Sequence, residues 1–203
     1  MKQLLILLVL VMLMPGVAFS QSTKFNGDFT TIQTPPKPNS LEVVVFDEYL
    51  NFTCPHCNNF RKAAKALKEK YKKSLKINYI PVLFRNQSDF PLRLFFIAQA
   101  KNKTEEVKEL LFDTAFEHNV NIYDPTVVSY LARVSGLSEA YNKEGNADWV
   151  TQRIHASRAK ALDTGVDSTP TVILANSMVV KPKMGMNTFV ANLETLILQL
   201  VKK

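Results

Sequence analysis

Two periods of apolar residues alternate along this chain and mark out its elements. Residues 21–40 are polar, and Thr34-Pro35-Pro36-Lys37-Pro38 reads as an extended approach segment. Within them Phe29-Thr30-Thr31-Ile32 fits a short edge strand. The β-branched apolar run from Leu41 to Phe46 predicts a buried strand. A helical period follows, with Phe60, Ala63, Ala64, Leu67 and Tyr71 on one stripe of a helix reaching about Lys73. Arg61, Lys62, Lys65, Lys68, Lys72 and Lys73 fall off that stripe and read as its solvated face. Lys76 to Phe84 returns to a strand pattern, and Pro81 within it indicates a bulge or an edge position. Strand, helix and strand join naturally as a right-handed β-α-β unit.

Residues 89–164 are helical in pattern throughout. Asp89, Thr104 and the Asp124-Pro125 pair are start signals, Ser138 opens a short helix, and Asn146 or Ala147 opens a longer one ending at Gly165. Thr171-Val172-Ile173-Leu174 and Met178-Val179-Val180, joined by Ala175-Asn176-Ser177, form a β-hairpin pattern. Asn187 then caps a last helix with Phe189, Val190, Leu193, Leu196, Ile197 and Leu200 inward. The chain therefore divides into residues 21–88, a helical insertion at 89–164, and residues 165–203. No internal repeat is visible.

Ahead of these elements, Leu4 to Met14 is an unbroken apolar run behind Lys2, broken by Pro15-Gly16. Ala18-Phe19-Ser20 supplies the small residues of a cleavage site, so residues 1–20 read as a signal peptide cut near Ser20-Gln21. The run is shorter than the roughly 20 residues that span a bilayer. The mature chain is then expected to work outside the cytoplasm. It carries 24 basic and 18 acidic residues, a net +6. No basic-aromatic motif accompanies this charge, so nucleic acid is not an expected partner. A mild attraction to acidic partners or anionic surfaces is what the charge allows.

The whole sequence has two cysteines, in Cys54-Pro55-His56-Cys57 at the start of the first helix. A bridge across two intervening residues restrains the unfolded chain very little, so the pair is a poor staple and makes sense as one that cycles. Cys54 lies near the N-cap, with Pro55 at N1, where a missing N–H costs nothing. Unpaired N–H groups and the positive helix end favour its thiolate. His56 is placed to stabilise the same sulfur, and Cys57, facing into the helix, reads as the resolving thiol. Zinc would need two further ligands, from His118, His155 or carboxylates, and no second C-x-x-C exists. Haem attachment would need histidine where Asn58 stands. No metal or organic cofactor is required. Ser168-Thr169-Pro170-Thr171 lies just before the hairpin. A cis Thr169–Pro170 bond there would open the preceding backbone to a substrate strand.

On these residues the chain resembles the DsbA family of exported thiol–disulfide oxidoreductases, from about Phe25 to Lys203. The resemblance is carried by Phe29-Thr30-Thr31-Ile32, Glu48, the Pro-His dipeptide between the cysteines, the helical insertion and Thr169-Pro170. It implies an α/β thioredoxin fold with an inserted all-helical domain, and an acidic Cys54 in a strongly oxidising couple. Glu48 would be a buried acid relaying the proton of Cys57. Asn78 stands in the alignment where a lysine often accompanies that acid, and without a cation a buried Glu48 has a raised pKa. Thr169 replaces the valine of the best-known oxidases; Thr-Pro is common in isomerase and reductase branches. Those isomerases add a sizeable N-terminal oligomerisation region, and residues 21–40 are too short for one, which implies a monomer.

The activity implied is that of a periplasmic dithiol oxidase. Its substrates would be unfolded, newly exported proteins, and a DsbB-type, quinone-linked membrane partner would restore its disulfide. Two other readings stand beside it: a disulfide isomerase or reductase, and a non-enzymatic chaperone or binding module on a thioredoxin fold.

Overall fold

One strand organises the molecule. Val44–Leu50 (β2) runs between Leu75–Pro81 (β3), parallel to it, and Thr171–Leu174 (β4), antiparallel to it. The computed structural model describes residues 24–84 and 86–203, so the apolar leader and its cleavage point lie outside the described residues. Thr30–Thr31 (β1) pairs with Met178–Val180 (β5), which pairs with β4, giving the sheet order β1-β5-β4-β2-β3. The predicted hairpin is present; Ala175 and Asn176 both take positive φ to turn it. β3 is an edge strand, and Pro81 sits at its end, where a missing N–H is tolerated.

The predicted first strand moves along the chain. Pairing starts at Val44 and continues through Asp47 and Glu48 to Leu50, while Leu41 makes only an isolated bridge to Val201. Acidic residues end an apolar run by pattern, yet both are buried here. Asp47 is held by Lys160 at 2.6 Å and Asn78 at 2.7 Å.

Pro55–Lys70 (α1) crosses from β2 to β3, stopping three residues short of the predicted end. Phe60, Ala64 and Leu67 face the sheet, and Phe60 stacks on Phe46 with ring centroids 6.4 Å apart. Met186–Leu200 (α7) packs on the same side through Phe189, Leu193 and Leu196; it begins after Gly185, two residues before the predicted Asn187 cap. Between β3 and β4 come Phe90–Ala100 (α2), Thr104–Phe116 (α3), Pro125–Val134 (α4), Ser138–Glu144 (α5) and Asp148–Asp163 (α6). This is the mixed α/β fold with a helical insertion that the pattern implies.

The core crosses the boundaries drawn from the sequence. Leu50, Phe52, Cys57 and Tyr79 share one apolar cluster with residues of α2, α3 and α4. On the other sheet face Ala161 of α6 packs with Tyr49, Ile80, Ile173 and Val179. Ser157 of α6 donates to the Pro81 carbonyl at 2.6 Å. The insertion thus covers one end of α1 and closes the opposite face of the sheet.

Candidate active site

The carboxyl end of β2 delivers the chain into α1 through a tight polar loop. Asn51, almost wholly buried, donates to the Val82 carbonyl and to Gln87, both at 2.8 Å. Its Oδ1 accepts from the Thr53 N–H and hydroxyl at 3.0 and 2.9 Å, and the Thr53 hydroxyl meets that of Tyr123 at 3.0 Å. Cys54 then donates its N–H to the Asn51 carbonyl at 3.0 Å. The side-chain amide of Asn51 is fully used, and the loop is fixed to both the sheet and the helical segment.

From there Cys54 is the N-cap of α1 with extended φ and ψ, and Pro55 occupies the first turn. Cys54 is half-buried and Cys57 fully buried. Their environments push the two thiols in opposite directions. A hydrogen bond from the Cys57 side chain acts most strongly on Cys54. Burial opposes it, while the Cys57 and His56 N–H groups assist, bringing Cys54 down to about 5. Burial, and then its role as donor to Cys54, push Cys57 far above the ordinary thiol range. His56 meets the sulfur through its N–H, and its imidazole is exposed to solvent.

Across from the helix lies the loop before β4. The Thr169–Pro170 peptide is cis, and the Cys54 thiol donates to the Thr169 carbonyl at 3.2 Å. The buried Thr169 hydroxyl has no hydrogen-bond partner among the described residues. Residues 115 positions apart thus meet at one sulfur.

Glu48 lies on the sheet face of Phe46 and Leu50 and is buried. Phe46 stacks on Phe60, one turn beyond Cys57, which puts Glu48 beneath the first turn of α1. Burial drives its carboxyl up to about 7, and the Lys108 ammonium restrains the rise. The register corrects the sequence alignment here. Asn78 is opposite Asp47, on the other face, and the residue opposite Glu48 is Tyr79. A cation is present after all, but it comes from α3. Nothing in the periodicity of α3 distinguishes Lys108 from a surface lysine, so sequence reasoning missed it. Asn51 was equally invisible; with Phe52 and Thr53 it spells only a glycosylation sequon.

Away from the dithiol, Phe52 is core, Phe84 is exposed, and Trp149 packs against the core from a half-buried position. His118 and His155 are exposed. Among the described residues no group of three or more His, Cys, Asp or Glu side chains is placed to hold a metal ion.

A polarised dithiol at a helix N-terminus, in contact with a loop carbonyl on a mixed α/β fold with a helical insertion, defines a thiol–disulfide exchange site on a thioredoxin fold. Residues 39–194 match the family described as Thioredoxin, and the chain belongs to that family. It is a DsbA-like thiol:disulfide oxidoreductase with Cys54 and Cys57 as its C-x-x-C pair. It is similar to the thiol:disulfide interchange protein DsbA of Burkholderia cepacia, 25% identical over 186 residues that cover 86% of this chain and 84% of that one. Among solved structures, DsbA of Xylella fastidiosa superposes with a TM-score of 0.68 at 19% identity, covering 79% of this chain and 89% of that chain. DsbA of Pseudomonas aeruginosa gives 0.70 at 15% identity, covering 84% and 91%.

Proposed function

We propose that this protein is an exported dithiol oxidase that donates its Cys54–Cys57 disulfide to reduced, newly exported proteins. The observation that carries the reading is the opposed pair of thiols. A sulfur held near pKa 5 is stabilised as thiolate, which favours the reduced enzyme and makes the disulfide a strong electron acceptor.

In the forward direction a substrate thiolate attacks the Cys54 sulfur. The new Cys54–substrate bond forms as the Cys54–Cys57 bond breaks, and the electron pair goes to the Cys57 sulfur. That sulfur is strongly disfavoured as a thiolate and takes a proton, which protonated Glu48 supplies. A second substrate thiolate then attacks the substrate sulfur, and Cys54 leaves as a stable thiolate. The substrate has lost two electrons and the enzyme has gained them. In reoxidation Cys57 must lose its proton, and the Glu48 carboxylate takes it. A group titrating near 7 can serve both directions at neutral pH.

Pro55 presets the first turn, and the His56 N–H adds a donor to Cys54. Thr169, with Pro170 beside it, offers backbone next to the reactive sulfur for an extended substrate segment. The protein acts as a monomer in the periplasm. A DsbB-type, quinone-linked membrane protein accepts its electrons. Replacing Cys57 by Ala tests the assignment of roles. Mixed disulfides with exported proteins are expected to accumulate on Cys54, and their absence would argue instead for a non-enzymatic binding module.

A further inference from the structure

Lys108 is an inward-pointing lysine on a helix whose other buried residues are Val107, Leu111, Phe112 and Thr114. Its side chain is 3% exposed, between buried Val107 and Leu111. The ammonium lies 3.0 Å from Glu105 Oε2, 3.2 Å from Glu109 Oε1 and 3.2 Å from the Tyr79 hydroxyl, and 4.3 Å from the Tyr79 ring centroid. A buried cation is costly unless its position does something that a methionine would not.

The surrounding charges form a ladder between α1 and α3. Lys68 pairs with Glu105, Glu105 and Glu109 with Lys108, and Arg61 with both Glu109 and Asp113. Three cations face three anions, so the ladder is balanced by itself. Glu48 is the carboxylate left over: it is buried, and its Oε2 has no hydrogen-bond partner among the described residues. On β3 its register neighbour is Tyr79, whose hydroxyl also donates to Glu105 at 2.9 Å. On β4 it is the apolar Val172. From α1 the groups on this side are Cys57, Arg61 and Lys68. Among the described residues the cation that acts most on Glu48 is Lys108, and its field is shared with Glu105 and Glu109.

We propose that Lys108 is a positioning residue of the redox site: lent by the helical insertion, its ammonium sets how readily Glu48 takes the proton of Cys57, and Glu105 and Glu109 hold that influence in check. This rests on the acid–base role of Glu48 in the proposed exchange reaction. The step concerned is closure of the ring. Cys57 gives its proton to Glu48 and attacks Cys54 in a mixed disulfide with glutathione; the Cys54–Cys57 bond forms, and glutathione leaves as a thiolate. Lys108 touches none of the reacting atoms.

The test has two readouts on the full mature chain. The Glu48 carboxyl is titrated directly by NMR with carboxyl-labelled glutamate, and the glutathione mixed disulfide on Cys54 is followed through closure by rapid acid quench across pH. In Lys108→Met the Glu48 midpoint is expected to rise by about one pH unit, the effect of losing an opposite charge at short range. Closure at pH 7 should then slow about fivefold, as the ionised fraction falls with that shift. Lys108→Arg should return both towards the parent. Glu109→Gln should move the midpoint the other way, which keeps the test open if Lys108→Met fails to fold. A Glu48 midpoint unmoved by Lys108→Met, or by Glu109→Gln where the first variant does not fold, overturns the inference. A midpoint that moves while the closure profile stays fixed overturns instead the acid–base role of Glu48 on which it rests.

Discussion

Cys54 and Cys57 are chemically alike with two residues between them, and their surroundings alone make one an acid and the other not. At Cys54 the stabilising donors are mainly the Cys57 side chain and N–H groups of the first helical turn. His56 contributes its backbone N–H, which survives substitution. His56→Ala should therefore leave the Cys54 pKa low, clearly below that of a free cysteine, read from thiolate absorbance. A variant titrating like free cysteine would show that the imidazole carries the effect. Glu48 makes a separate prediction. Its folded pKa, raised to about 7 from an ordinary 4.5, means that its proton favours folding at low pH. That contribution is complete below about 4.5 and is lost as pH rises through 7. Glu48→Gln should thus be more stable than the parent at pH 8, by up to about 3 kcal/mol, with the advantage fading by pH 4.5. Paired denaturant melts at the two pH values check this; an equal difference at both would contradict it.

At the scale of elements, the helices and strands were largely legible because their periods are clean. Asp124 does cap α4, its side chain accepting from the Thr126 N–H at 2.7 Å. The hairpin and the β-α-β unit follow the pattern directly. Legibility failed where polar residues are buried. Asp47 and Glu48 look like the end of a strand and lie inside it, because Asp47 finds Lys160 and Asn78, and Glu48 stays partly protonated. The two cysteines, Pro170 and Glu48 were visible from residue type and spacing. Asn51, Tyr79 and Lys108 were not, since their importance depends on register and on long-range contacts that no local pattern encodes. Asn51 is the clearest case. Asn51→Ala removes bonds to Val82, Gln87 and Thr53 and strands buried partners, so a loss of about 2–3 kcal/mol is expected. Denaturant unfolding measures it, and a loss below about 0.5 kcal/mol would mean that the loop is held by other means.

For the whole molecule, the charge on Cys54 links folding to redox state. In the reduced protein a thiol lowered from 9.0 to about 5 stabilises the fold fully above pH 9, and this support is lost as pH falls through 5. The oxidised protein has no such thiolate, while Glu48 is present in both forms and largely cancels. The stability of the reduced form relative to the oxidised form should therefore decline steadily from pH 9 to pH 5, followed as the difference in Tm. A difference constant over that range would remove the physical basis for a strongly oxidising disulfide. The direction of electron flow has a still more direct test: trapping the protein's thiols with an alkylating agent in its native compartment. The oxidase account predicts that Cys54 and Cys57 are found mainly as the disulfide. Recovery of both cysteines mainly as alkylated thiols would contradict it and point to an isomerase or reductase kept reduced by a membrane donor.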